Sequence, residues 1–355
     1  MNKIFISGNH TFGEAAIRAG CTCYFGYPIT PQNELCEYMS LNLPKVGGVF
    51  VQAETETSAI NMVIGATATG ARAMTSSSSP GISLKQEGIS FLACFEMPAI
   101  IINVMRGGPG LGNIAPAQGD YFQATRGGGH GDYRTPTLAP GSVQEVADLT
   151  YLAFDLADNY RTPVMILGDG MLGQMKEPVV FPEKIKNLPK KDWVLSGRGD
   201  GPSRYLASLI LDTMEMERHN WKLVRKYQEI ERNEVRYESY MIDDAEIVAI
   251  AYGTTARIAK GAINRVRKDG LKVGLIRPIT LWPFPKKIIS ELAKKGKKII
   301  VFEMSTGQMV EDVLLAVEGN TRVYFHGRPG GVIPTPVEFA RIMYREYEFN
   351  KKSMV

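Results

Sequence analysis

Glu56, Arg106 and Thr30 are the residues of this chain whose types and settings could do chemistry. Glu56 stands near the head of TETSAINMVIGATATGA (55–71), with Ala59, Gly65, Ala66 and Gly70 at small-residue spacings behind it. A carboxylate there would meet a helix N-terminus, where an isolated Glu serves as a dipole partner. Arg106 closes the apolar run PAIIINVMR (98–106) and opens RGGPGLGN (106–113). At the carboxyl end of a strand, where open α/β sheets hold their ligands, a guanidinium can grip a carboxylate through two parallel bonds. Thr30 lies in GYPITPQNE (26–34), between Pro28 and Pro31. Two prolines fix the backbone around it, so its hydroxyl and the adjacent amides would point at one place. Capping a helix over 31–43 and touching a ligand are compatible uses of that hydroxyl.

Other chemistries find less support. The glycines of 106–113 do not follow G-x-G-x-x-G, and no G-x-x-x-x-G-K-S/T occurs, which disfavours a dehydrogenase or a P-loop enzyme. Such a loop can still bring backbone N–H groups near an anion. Cys21, Cys23, Cys36 and Cys94 match neither a zinc site nor a ferredoxin-type run, so they read as buried thiols and no cluster is expected here. GDG at 168–170 is followed only by Asn187, in a stretch that reads as a connector, so Asp169 reads as a strand-end residue rather than a metal ligand.

Alternating strands and helices must position these residues. Strands are expected at 48–54, 71–78, 98–106 and 162–170, with helices at 31–43, 55–71 and 142–160; the alternation implies a parallel sheet covered on both faces. The Lys- and Pro-rich stretch 176–193 looks like a connecting segment, residues 181–240 read as a connector with helical periodicity in the charged stretch 204–240, and a second α/β unit follows over 241–355. The chain has 355 residues, 44% hydrophobic, enough for two cores, since single cores stop growing near roughly 250–300 residues. A net charge of +4, from 41 basic and 37 acidic residues, gives no concentrated basic field, so no nucleic acid is expected as a ligand. The apolar runs are of strand length, so no membrane span is expected, and the N-terminal run is too short for a signal peptide. A cytoplasmic location is the expectation.

Residues 1–180 resemble the pyrimidine-binding domain of thiamine diphosphate enzymes, in the form found in the 2-oxoacid:ferredoxin oxidoreductases. The resemblance rests on GYPITP, E-x-x-A with Gly70 downstream, MTSSSSPGISLKQEGISFLA, NVMRGGPGLGN and QGDYFQATRGGGHGDYR. Residues 241–355 resemble the transketolase C-terminal-like domain that follows in that family. The wording is nearest to alpha subunits for 2-oxoisovalerate, with 2-oxoglutarate enzymes as close relatives.

The resemblance implies an α/β fold with a domain of each kind. It implies that Glu56 hydrogen-bonds the pyrimidine ring nitrogen of thiamine diphosphate, Glu54 being the rival, with Pro28 and Ile29 beside the cofactor. Thr30 would face substrate and cofactor, and Arg106 would bind the 2-oxoacid carboxylate. The implied reaction converts a branched-chain 2-oxoacid, CoA and oxidised ferredoxin to acyl-CoA, CO₂ and reduced ferredoxin. A beta subunit would supply the diphosphate-binding domain with Mg²⁺. A gamma subunit or domain and a ferredoxin-like subunit would carry iron–sulfur clusters, passing electrons to external ferredoxin. Two alternatives stand beside this reading. A 2-oxoglutarate enzyme could use Arg126, His130 or Arg134 for the distal carboxylate. A non-catalytic scaffold subunit is the other, against which the joint presence of Thr30, Glu56 and Arg106 argues.

Overall fold

The computed structural model describes residues 3–185, 188, 190–197 and 204–352, so Asn187 lies outside the described residues. Among these the strands are β1 (Ile4–Ser7), β2 (Cys23–Gly26), β3 (Val49–Gln52), β4 (Ala73–Ser77), β5 (Ala99–Met105), β6 (Thr137–Leu138), β7 (Pro163–Asp169), β8 (Lys176–Val179), β9 (Tyr237–Tyr240), β10 (Ile247–Ile250), β11 (Val273–Pro278), β12 (Thr280–Trp282), β13 (Lys298–Glu303) and β14 (Val323–Gly327). A seven-stranded sheet runs β12-β6-β7-β5-β4-β2-β3, and a five-stranded sheet runs β14-β13-β10-β11-β9. Strands β2 to β7 pair in parallel, as do β10, β11, β13 and β14, while β12 and β9 join antiparallel. Every residue of AIIINVM in β5 and PVMILGD in β7 is buried, the mark of central parallel strands covered on both faces. The α/β class and the two-unit architecture expected from sequence are the ones observed.

The two sheets share material. β12 belongs by sequence to the second unit yet extends the first sheet at β6. Gln118, fully buried, donates from Nε2 to the Tyr252 carbonyl at 3.0 Å and accepts from the Met304 N–H at 3.0 Å. Arg277 crosses to Glu145 through two bonds of 2.8 and 2.6 Å.

Three local expectations change. Thr30 is not a helix cap: the helix starts at Asn33 with Gln32 in the cap position and no side-chain cap bond. The cause is Gln32, whose Oε1 is drawn into the core to accept from Ser76 Oγ at 2.6 Å. The connector begins later than 176, because Lys176–Val179 pairs antiparallel with β1. The charged stretch 204–240 is helical only over Thr213–Asn233, where the Asp212 carboxylate accepts from the Met214 and Glu215 N–H groups. Beyond it YESY alternates with period two and forms β9.

Close packing between the Glu56–Ala68 and Pro80–Phe95 helices depends on a small residue of the second rather than on Gly65 of the first. Gly65, in the Glu56–Ala68 helix, has nothing within 4 Å of the position a Cβ would take, whereas a Cβ on Gly88 of the Pro80–Phe95 helix would lie 2.5 Å from Ile60 Cγ2 and 2.6 Å from Cγ1. Gly88→Ala should therefore lose stability, because ~1–3 kcal/mol of overpacking exceeds a helix-propensity gain of at most about 1 kcal/mol. Gly65→Ala should gain about 0.5–1 kcal/mol. Urea unfolding of the two variants checks the contrast; shifts of the same sign would show that propensity rather than packing governs both positions.

Candidate functional site

The carboxyl ends of β4 and β5 and the first turns of the Glu56 and Pro80 helices meet at one place. Glu56 is the first residue of its helix, behind the Thr55 cap, whose Oγ1 accepts from the Ser58 N–H at 3.1 Å. Glu56 is 5% exposed, whereas Glu54 lies on the surface with Oε1 accepting from Ser58 Oγ at 3.1 Å. The two rival carboxylates are thus separated by burial. Gly81 permits the close approach: a Cβ there would stand 2.5 Å from Glu56 Oε1 and 2.0 Å from Ser77 Oγ. Beside it the buried hydroxyls of Ser77 and Ser78 have no hydrogen-bond partner among the described residues.

Arg106 ties two loops together. Its Nη1 donates to the Thr30 carbonyl at 2.9 Å and its Nη2 to the Leu111 carbonyl at 3.1 Å, while buried Nε has no partner. The glycine loop closes on itself through Asn113 N–H to the Gly107 carbonyl at 2.9 Å. Gly112 has φ +58, and a Cβ would lie 1.7 Å from the Gly107 oxygen, so only glycine fits. The Thr30 hydroxyl holds only a long 3.4 Å bond from Asn33 Nδ2, and beside it Ile29 is half-buried and Pro28 exposed.

The serine run after β4 joins the Arg106 end to the Glu56 end. Ser79, in a strained backbone at φ 22, donates from Oγ to Asp120 Oδ2 at 2.6 Å and from its N–H to Asn103 Oδ1 at 3.0 Å. Asn103 Nδ2 reaches the same Asp120 oxygen at 2.9 Å, and Ser79 Oγ accepts from the Arg106 N–H at 3.0 Å. Burial pushes the Asp120 carboxyl above its ordinary range, against both hydrogen bonds. A cleft of about 390 Å³ opens here, lined by Ser79, Gly108, Pro109, Asp120, Ser305 and Gln308 among others.

Lys85 is the residue that sequence reasoning missed most completely. It is fully buried, donates to Thr75 Oγ1 at 3.1 Å, and its pKa is pulled down to about 8 by burial, against the pull of Glu56. Nothing in PGISLKQEGIS marks it, because a lysine in an amphipathic helix ordinarily faces water. Ser79, Asn103 and Asp120 also escaped notice, having no local signature.

The remaining candidates lie elsewhere. Arg126 pairs with Asp312 at 3.0 Å, Arg134 donates to the Arg126 carbonyl at 3.3 Å, and His130 is exposed. Arg126 and Arg134 line a separate groove of about 1010 Å³ along the Thr213 helix. Asp169 ends β7 and caps the next helix, Oδ1 accepting from the Met171 and Leu172 N–H groups at 3.0 and 3.1 Å. Among the described residues no cluster of three His, Cys, Asp or Glu side chains could hold a metal ion, the four cysteines are free thiols, and no helix is long and apolar enough to cross a membrane.

Comparison with known proteins adds three findings. Residues 14–241 match the family model described as "Pyruvate flavodoxin/ferredoxin oxidoreductase, thiamine diP-bdg", and residues 245–339 match "Pyruvate:ferredoxin oxidoreductase core domain II". The ketoisovalerate oxidoreductase subunit VorB of Methanothermobacter marburgensis is 54% identical over 92% of this chain and 93% of its own length. The 2-oxoglutarate synthase subunit KorA of Methanocaldococcus jannaschii is 38% identical over 96% of this chain and 99% of its own. Among solved structures, 2-oxoglutarate:ferredoxin oxidoreductase from Magnetococcus marinus, with 2-oxoglutarate, coenzyme A and succinyl-CoA bound, superposes with a TM-score of 0.86 at 26% identity, over 97% of this chain and 65% of that one. A split-gene transketolase, an inactive beta4 tetramer, shares the fold at a TM-score of 0.59 and 11% identity over 96% of this chain and 97% of that one.

The Arg106 tie has a measurable consequence. Arg106→Ala frees both carbonyls, and amides 107–113 should exchange hydrogen at least about tenfold faster, given roughly 1.5 kcal/mol for a charged hydrogen bond. Exchange mass spectrometry reads this directly; unchanged rates over 107–113 would mean that the loop holds itself without the guanidinium.

Proposed function

The chain belongs to the 2-oxoacid:ferredoxin oxidoreductase family, and from that premise we propose that it holds the pyrimidine half of thiamine diphosphate for the oxidative decarboxylation of a branched-chain 2-oxoacid. The observation that carries this is the buried Glu56 carboxylate at a helix N-terminus, seated against Gly81 beside two buried hydroxyls without partners. Such a cradle fits a flat heterocycle that offers a ring nitrogen to the carboxylate and further polar edges to Ser77 and Ser78.

When bound, thiamine diphosphate supplies the nucleophilic carbon and the electron sink. The residues of this chain bind and orient. Glu56 holds a proton at the pyrimidine nitrogen from its place at the helix N-terminus. Pro28 and Ile29 back the loop, and Thr30 turns its weakly held hydroxyl to cofactor and substrate. Arg106 offers its unpartnered Nε to the 2-oxoacid carboxylate. The net reaction takes a 2-oxoacid and CoA to acyl-CoA and CO₂, the electron pair passing to ferredoxin.

The remainder of the site belongs to partners in this reading. A beta subunit brings the diphosphate-binding domain and Mg²⁺, since Asp169 already caps a helix. A gamma subunit or domain and a ferredoxin-like subunit carry iron–sulfur clusters to external ferredoxin, in the cytoplasm. Residues 1–180 form the pyrimidine domain, 181–240 the connector with its helical arm, and 241–355 the transketolase C-terminal-like domain, with β12 reaching back. A branched acyl group is favoured over 2-oxoglutarate because identity to VorB exceeds that to KorA, and because Arg126 is already paired with Asp312.

Two measurements test this on the assembled complex. With 2-oxoisovalerate, pyruvate and 2-oxoglutarate as substrates, kcat/KM should be highest for 2-oxoisovalerate, and a preference for 2-oxoglutarate would overturn the substrate assignment. Glu56→Gln should lower decarboxylation by about 10²-fold or more while assembly persists, and Glu54→Gln should be mild. The reverse ranking would move the site to Glu54. In the same assay, Arg106→Lys should reduce kcat/KM for all three acids by similar factors, on the order of tenfold.

A further inference from the structure

Gly81, Lys85 and Gly88 recur at i, i+4 and i+7 on the Pro80 helix and so share one face. Glu56 and Ile60 are likewise four apart on the facing helix. Gly81 admits Glu56 and Gly88 admits Ile60, each leaving no room for a Cβ, so Lys85 lies in the seam between these two contacts, one turn from the carboxylate. Its ammonium carries three N–H groups. Thr75 Oγ1, a neutral acceptor on β4, is its hydrogen-bond partner among the described residues. Packing alone would be served as well by a methionine, without the desolvation of a charge. The charge is therefore the property that needs a reason.

We propose that Lys85 is a positioning residue for Glu56, its buried ammonium supplying the positive charge that holds the Glu56 carboxylate toward the cofactor. This rests on the reading of Glu56 given above. The titratable groups that face Lys85 are Glu56, on the Glu56–Ala68 helix, and Cys36, on the Asn33 helix; the Glu56 carboxylate favours the ammonium, the Cys36 thiol is itself pushed up by burial, and burial of Lys85 opposes the ammonium and brings it to about 8.

The sign follows from that value. Above about pH 8 the ammonium deprotonates and the field on Glu56 disappears. For stability the direction is opposite. A lysine whose folded pKa lies below its unfolded one binds fewer protons in the folded state between the two values, so its contribution to stability rises as pH climbs through that window. At neutral pH the charged Lys85 is thus a burden on the fold, carried at a functional site.

The test separates these roles. In the assembled, cofactor-loaded complex, Lys85→Met should lower kcat on the order of 10²-fold with KM changed by less than about threefold, and should remove a wild-type alkaline limb near pH 8. Its melting temperature at pH 7 should be unchanged or higher, whereas a structural lysine would leave kcat intact or lower the melting temperature. The second readout needs no cofactor: ¹³Cε-lysine NMR of the unloaded complex should show Lys85 titrating near 8 and moving down in Glu56→Gln. If Lys85→Met fails to fold, that titration alone decides. An unmoved Lys85 resonance in Glu56→Gln overturns the proposal even where Glu56→Gln is inactive. Full activity of Glu56→Gln would instead sink the assignment of Glu56 itself, whatever the titration shows.

Discussion

Contact between the Glu56 and Pro80 helices, with glycines where side chains would stand, fixes the site before any polar group is considered. Gly81 and Gly88 bring the second helix against Glu56 and Ile60, and neither position has space for a methyl group. Backbone entropy makes glycine costly inside a helix, about 0.5–1 kcal/mol each relative to alanine. That cost is offset by the packing of a seam that includes Ile60, Ile82 and Ile89, all buried in one apolar cluster. Once the seam closes, a carboxylate, an ammonium and a run of serines are held where solvent does not reach. The chemistry is a consequence of that closeness, because charges attract and hydroxyls orient strongly only where water is excluded.

The polar ties between the sheets follow the same logic. Arg277, 4% exposed, meets Glu145 through two bonds and Glu238 through a third at 2.8 Å, so its buried charge is fully answered. Gln118 answers groups from the second sheet with both ends of its amide. Among the described residues, the buried polar atoms without a partner include Ser77 Oγ, Ser78 Oγ and Arg106 Nε, around Glu56 and the Thr30 loop, and others elsewhere in the fold, such as Thr162 Oγ1 and Tyr227 Oη. Buried polar atoms without partners are rare, and a ligand that reached Ser77, Ser78 and Arg106 would answer three of them.

Period and punctuation made most of the scaffold legible. PAIIINVMR and TPVMILGDG read as buried strands because their apolar runs are continuous, and the Glu56 helix could be read from its run of small residues, though its Thr55 cap could not. What failed was set by distant partners. Thr30 lost its capping role because Gln32 bonds to Ser76, forty-four positions away. β12 was invisible because three residues carry no period, and its pairing partner lies in the other unit. In the site, Glu56 and Arg106 could be picked out by their places at a helix start and a strand end. Lys85 could not, since the feature that matters, a neighbouring helix passing close enough to bury it, belongs to the tertiary structure alone.

Arg106 shows how binding and loop order are joined. Its two terminal nitrogens hold Thr30 and Leu111, leaving Nε as the free donor. A carboxylate meeting Nε alone gains a charge-assisted bond and leaves both loops in place. A two-bond grip must take an Nη as well, and the more exposed partner is the Leu111 carbonyl, on a residue 80% exposed. Releasing it would free the glycine loop from its anchor to Arg106, although the bond from Asn113 N–H to the Gly107 carbonyl remains. On the reading proposed for Arg106, tight capture of a 2-oxoacid and a closed glycine loop compete for the same guanidinium. A ligand shifts the loop only by the difference between these two arrangements. A carboxylate that met Nε alone would draw on neither tie and would leave the loop where the guanidinium holds it.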